Sequence, residues 1–322
     1  MKERITYIDV AKGICMLLIM CAHIGVPIDI PRAHAAQTTT FFMLSGYFFS
    51  IKGNFKDFMK KNVNSILIPF VIFYLFSYAL FYLGKRFVPG FASMTAAKGI
   101  LDCVTQKQYF NGPLWFLLSL FWIRLITYGI IKCSKNEIIQ FVLAILCTGG
   151  GYLLGHYHID IPLSFDSALS AVLVFYVGYL LKKYSVLERY NKVESGIFAI
   201  IFYISCITIP GAIENSINRF SGSFVAVIYI SLVLSVALIL FSKCFLSWSK
   251  VLSFIGRNTM WLMCTHHLIY RPIKLVLDRF AVKGNLNAIL TFLITLALCC
   301  LTAPIVEKYL PRLVGKTPET KS

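Results

Sequence analysis

The sequence predicts an all-α, polytopic membrane protein with about ten transmembrane helices in one bundle. Three observations predict it. Hydrophobic residues make up 58% of the 322 and charged residues 14%, where a soluble domain carries roughly a quarter charged residues. The apolar residues gather into stretches near the ~20 residues that a helix needs to cross hydrocarbon. Those stretches lack the period-two alternation of a membrane barrel. A mean hydropathy of +0.74 leaves lipid as the solvent that can cover so much apolar surface.

The candidate spans lie at 10–28, 34–51, 64–84, 112–131, 137–155, 166–182, 194–211, 221–242, 252–270 and 286–306. The first follows Lys2 and Arg4 as a signal peptide would, with Ala33-His34-Ala35 resembling a cleavage site. Lys12 and His23 interrupt it, however, and similar stretches follow, so it reads as a retained helix. Residues 52–61 set Phe55, Phe58 and Met59 at helical spacing against lysines, the pattern of a short helix lying on the inner leaflet. Residues 85–111 form the longest connection, with Lys85, Arg86, Lys98, Lys107 and the exit Tyr109-Phe110-Asn111. Gly149-Gly150-Gly151 inside the fifth span reads as close helix packing or a hinge. The span 166–182 is the weakest, because its charge-free part runs only from Ser167 to Leu181. No internal repeat is visible. One domain covers 1–315, and 316–322 is a polar tail.

Cation placement sets orientation. With the N-terminus inside, the inner segments hold 19 Lys and Arg, counting Lys182 and Arg257 at the inner ends of their spans, and the outer ones 10, Lys12 and Arg124 lying deeper within spans. That bias puts both termini in the cytoplasm of a bacterial inner membrane. The net charge of +17 is thus spent on short clusters between spans, without the continuous basic and aromatic stripe of a nucleic-acid binder. None of the ten cysteines makes a Cys-x-x-Cys pair. They read as small buried hydrophobes, and no metal-ligand set or disulfide framework emerges.

Ionisable groups inside a span are costly and mark function or a buried pairing. Lys12 and His23 are eleven residues apart, or three helical turns plus about 20°, so they share one face about 16 Å apart along the axis. Asp9, three residues before Lys12, can pair with it. Two readings stand. Lys12 holds an anionic donor that enters from the cytoplasm while His23 takes a proton deep in the bilayer; or Lys12 snorkels to the interface and His23 bonds a neighbouring helix. His266-His267 in the ninth span follow Gly256-Arg257-Asn258-Thr259, with Asn258 and His266 on roughly one face and the two imidazoles about 100° apart. One of them is then expected to face the bundle and the other the interface. His34, His156 and His158 fall at loop borders. Arg124 inside the fourth span fits a phosphate, a carbonyl or a structural ion pair. Paired carboxylates, a Gly-x-Ser-x-Gly elbow and a nucleotide-binding glycine loop are all missing.

Several of these motifs together carry a resemblance. Arg4 through Asp9, Lys12 and Gly13, followed by His23, is similar to the first-helix signature of the acyltransferase-3 superfamily of integral membrane acyltransferases, particularly its fucose-4-O-acetylase-like branch. Phe41-Phe42-Met43-Leu44-Ser45-Gly46 resembles the second-helix motif, and Gly112-Pro113-Leu114-Trp115-Phe116 the start of the fourth. Pro162, Asp166 and Gly178, then Ile255-Gly256-Arg257-Asn258-Thr259 with His266, fall in order after them. The resemblance covers residues 4–270. It implies a ten-helix bundle, acetyl-CoA as donor, His23 as the catalytic imidazole and Lys12 in the donor site. Two departures stand out. Lys12 replaces an arginine found in many members, and a point cation lacks the bidentate fork. Asn62, Asn64 and Ser65 stand where basic residues often precede Ile66-Leu67-Ile68-Pro69, with Lys60 and Lys61 just upstream as substitutes.

The expected function is transfer of an acetyl-type group from acyl-CoA to a hydroxyl of a surface or secreted glycan, free or lipid-linked, with no resident cofactor. Asp9, Lys60, Lys61 and Arg124 would support the donor with Lys12, while Trp115, Asn258 and His266 would contact substrate or the oxyanion. The rival readings are a glycan or lipid-precursor transporter, which inverted repeats would announce, and a membrane sensor or scaffold.

Overall fold

In hydrocarbon every backbone N–H and C=O must be satisfied within its own segment, and the chain is accordingly helical almost throughout. A computed structural model describes residues 5–28, 30–51, 53–84, 95–105 and 111–316. The helices are α1 (Thr6–Ile24), α2 (Ala33–Tyr47), α3 (Phe55–Asn62), α4 (Ile68–Gly84), α5 (Ala96–Thr105), α6 (Trp115–Cys133), α7 (Glu137–His156), α8 (Phe165–Lys183), α9 (Val186–Arg189), α10 (Lys192–Ile207), α11 (Phe224–Phe245), α12 (Lys250–Arg257), α13 (Thr259–Arg279) and α14 (Gly284–Tyr309). A hairpin of β1 (Ala212–Glu214) and β2 (Arg219–Ser221) joins α10 to α11 in the register Ala212↔Ser221, Ile213↔Phe220, Glu214↔Arg219. Most of the connection expected over 85–111, and the tail beyond Lys316, lie outside the described residues.

Seven helices among the described residues are long and apolar enough to cross a membrane: α1, the α3–α4 unit, α6 and α8 with their leading turns, α7, α11 and α14. The protein is a multi-pass helical membrane protein. The remaining three expected crossings form helices that differ from these in length or polarity. With 15 and 16 residues, α2 and α10 are about 22 and 24 Å long, short of a hydrocarbon core of about 30 Å. The span expected at 252–270 breaks at Asn258 (φ −107°, ψ 17°), whose side-chain amide donates to the Phe254 carbonyl. Beyond the break α13 runs nine residues past the expected end, so Arg271, Lys274 and Arg279, counted in a loop, lie on a helix. Lys274 donates to the Ile24 carbonyl at the end of α1.

The amphipathic segment is α3, which Asn54 caps by accepting from the Asp57 N–H. It runs through a π-helical turn at Val63–Leu67 into α4. Phe58 is buried and Lys60 and Lys61 are exposed.

Two reciprocal glycine contacts hold the bundle at its centre. A Cβ on Gly46 would lie 1.9 Å from the Phe175 carbonyl oxygen, and one on Gly178 would lie 2.0 Å from that of Met43. Helices α2 and α8 therefore touch backbone to backbone, as small residues allow in membranes. In the same way Gly13 meets the Leu252 carbonyl and Gly256 that of Asp9, which presses α12 against the start of α1. Of the glycine triplet only Gly151 is used like this, against Ser170; Gly150 faces open space.

Candidate active site

The site is built where α1 ends. Gly25 terminates the helix in the left-handed region (φ 83°), returning its N–H to the Cys21 carbonyl, and this leaves His23 in the last turn. The neighbouring α13 brings His266 to it, 2.9 Å from Nε2 to the Nδ1 of His23, with the two rings nearly coplanar at 8°. On its other edge, Nδ1 of His266 lies 2.7 Å from the Leu262 carbonyl oxygen.

These two bonds fix the proton positions of neutral rings. A carbonyl only accepts, so His266 Nδ1 carries the proton and its Nε2 is bare. His23 must then donate from Nδ1, and its own Nε2 is left with the lone pair. A carbonyl oxygen thus sets a tautomer two rings away, and the product is a base.

That base opens on a cavity of about 550 Å³. His266 is fully buried, whereas His23 is exposed on the cavity side. Ile19, Met263, Phe41, Trp115 and Phe116 supply apolar and aromatic walls. Polar groups come from Gln37 and Thr38 of α2 and from Glu214, Asn215, Ser216 and Arg219 of the hairpin. Among the described residues the Gln37 Oε1 is buried without a partner, an orphan acceptor at a site with room for a ligand. His267 packs edge-on to His23 at 4.5 Å between ring centroids and takes no part in the hydrogen-bonded relay. Both of its ring nitrogens are buried without a partner among the described residues. The expectation that one of the adjacent histidines faces the interface is therefore corrected: α1 covers one and the turn at Gly112 the other, Gly112 leaving only 3.1 Å between an added Cβ and the His267 ring.

Of the residues singled out in the sequence, His23, His266 and Trp115 come together at or behind this cavity. Lys12 lies away from it, with Nζ 4.5 Å from the centroid of the Phe48 ring. Asp9 is buried in the same part of α1, 6% exposed, where Gly256 abuts its carbonyl. Arg124 donates to Ser65 Oγ at 3.3 Å, in the π-helical turn. Asn258 sits at the α12–α13 break. His156 and His158 are exposed. The hairpin and Gln37 were missed by sequence reasoning, which had singled out His267 beside His266 without placing it against His23. The available signal was the polar run Gln37-Thr38-Thr39-Thr40 inside an apolar stretch, of which Thr39 and Thr40 are buried. Nothing local could pair His23 with His266 across 243 residues.

A family model described as an acyltransferase domain matches residues 5–304. Comparison with curated proteins and with solved structures finds no match.

Proposed function

The chain belongs to this acyltransferase family, and from that premise we propose that it moves an acetyl group from acetyl-CoA to a hydroxyl of a cell-surface or secreted glycan, free or lipid-linked. The reading places it in the fucose-4-O-acetylase-like branch. It also takes the chain to cross a bacterial inner membrane ten times with both termini in the cytoplasm, α2, α10 and α13 completing the crossings. The observation that carries the proposal is the bare Nε2 of His23 at the wall of a cavity lined by both aromatic and hydrogen-bonding side chains. Carbohydrate presents the matching surface, apolar C–H faces and a rim of hydroxyls.

In the direct route the acceptor hydroxyl attacks the thioester carbonyl while His23 Nε2 takes its proton. The new C–O bond forms, the C–S bond breaks, and the imidazolium returns the proton to the departing thiolate. While His23 is cationic its Nδ1–H bond to His266 strengthens, and the Leu262 carbonyl stabilises the charge through the second ring. Acyl transfer through an acyl-His23 intermediate uses the same nitrogen. Lys12 would hold donor phosphate, with Asp9 beside it and with Lys60, Lys61 and Arg124 as further cations. Trp115 would stack on the sugar. Asn258 gives one amide N–H to the Phe254 carbonyl, and its second N–H would be the donor left for substrate or the oxyanion.

General-base catalysis contributes about 10²–10⁴-fold, so His23→Ala should cut acetyl transfer by about that factor. Acetyl content of surface polysaccharide is to be compared in wild-type, deletion and His23→Ala cells at equal protein abundance. Normal acetylation in the variant removes this reading, and retained acetylation with lost glycan export favours a transporter.

A further inference from the structure

Three imidazoles meet at the end of α1, and the relay uses only two. One ring nitrogen from each of His23, His266 and His267 lies within 4.8 Å of the other two. His267 is 7% exposed, and neither of its nitrogens has a hydrogen-bond partner among the described residues. Leaving a buried imidazole unsatisfied costs stability, and the relay gains nothing from it. We propose that His23, His266 and His267 form a reversible site for a borderline divalent cation such as zinc, and that its occupancy switches the transferase off. The second half rests on the reading of His23 as the base.

The donor chemistry selects the ion. Three neutral imidazoles without a carboxylate suit zinc and its neighbours rather than magnesium or calcium. Three protein ligands with a fourth position open is a known zinc arrangement, and here His23 borders a cavity that could supply the fourth ligand. His266 already has the outer partner such a ligand needs, its Nδ1–H held by the Leu262 carbonyl while Nε2 points to the centre. Two tetrahedral ligands at ~2.0–2.1 Å from zinc stand about 3.3 Å apart. The His23–His266 separation of 2.9 Å would have to open by only a few tenths of an ångström. Arg271, one turn beyond His267, opposes the ion; its guanidinium stacks over Phe81, 5.4 Å from the ring centroid. That charge weakens the site and makes an exchangeable ion the expected occupant instead of a resident one.

Occupancy and catalysis compete for one lone pair. For His23 Nδ1 to bind the cation, its proton must leave, and the neutral ring then carries that proton on Nε2. The nitrogen facing the cavity becomes a donor, and the base is gone without any change in fold.

The test uses purified full-length protein in detergent or vesicles, with zinc binding measured by competition against a chromophoric chelator. Wild type should take up one equivalent, and X-ray absorption at the zinc edge should count three imidazoles. His267→Leu should bind at least 100-fold more weakly. Zinc that saturates the wild-type site should lower acyl transfer at least tenfold, with recovery on chelation, while His267→Leu transfers at a rate within about twofold of wild type and ignores zinc. Equal binding by the variant, fewer than three imidazoles, or activation by zinc would overturn the proposal. The binding arms read out even if the protein transfers no acyl group, so failure of the site and failure of the enzymatic reading are told apart.

Discussion

At the scale of single residues, His266 is fully buried behind His23, and in the proposed reaction it acts through that ring. Its contribution is orientation and tautomer, and a misplaced base costs about 10²-fold. His266→Leu removes the acceptor for the His23 Nδ1–H and frees the ring to hold its proton on either nitrogen. The expected result is a fall of about 10²-fold in kcat with KM for both substrates unchanged. His266→Gln, whose amide oxygen can accept the same bond, should recover part of the loss and shift the pH profile of kcat back toward wild type. If the two variants were equally impaired, His266 would be a packing residue only. The first half of this arrangement was legible in the sequence: an imidazole within an apolar stretch is costly enough to mark itself. The second half was not, because helical geometry relates neighbours within one helix and carries no information about which helix lies alongside.

Secondary-structure elements were legible in proportion to how far lipid dictates them. Long apolar stretches such as 221–242 and 286–306 became α11 and α14 with boundaries shifted by a few residues. The three that fall short of a plain apolar crossing, α2, α10 and α13, are short or carry polar groups turned toward protein, so hydropathy alone defines them less well. The hairpin was invisible for the same reason: three-residue strands have no periodicity to read. Glycine resolves better after the fold than before it. Gly178→Ala puts a methyl group 2.0 Å from the Met43 carbonyl and must push α2 from α8, at a cost of about 1–3 kcal/mol. Gly150→Ala meets nothing within 4 Å and should gain up to ~1 kcal/mol of helix propensity. Thermal unfolding in detergent should therefore move in opposite directions for two alanines placed in two membrane helices. A drop for both would mean that Gly150 packs against a neighbouring element instead of facing open space.

For the whole molecule, the proposed reaction must join two ends of the bundle, since Lys12 sits by Phe48 while the base opens on the cavity beyond Ile19. Helical geometry puts Lys12, Met16, Ile19 and His23 on one stripe of α1. Met16 fills it at 0% exposure, packed with Ile255, Leu262 and Cys299. A donor whose phosphates stay at Lys12 must thread its acyl arm past this side chain. Methionine is flexible and unbranched, the residue type that yields to an incoming chain at least cost. Met16→Trp should block the route and lower kcat by at least tenfold, whereas Met16→Ala should leave transfer intact or faster. Leu18→Trp, at similar depth but in a groove on another side of α1, controls for the bulk itself. At the entrance Lys12→Ala should raise KM for acetyl-CoA about tenfold, the ~1.5 kcal/mol of one charge-assisted hydrogen bond. It should leave acetyl-pantetheine unaffected, because that donor lacks the nucleotide phosphates. If Met16→Trp were no worse than Leu18→Trp, and Lys12→Ala weakened both donors alike, the thioester would have to reach His23 from the cavity side and the first helix would carry no donor.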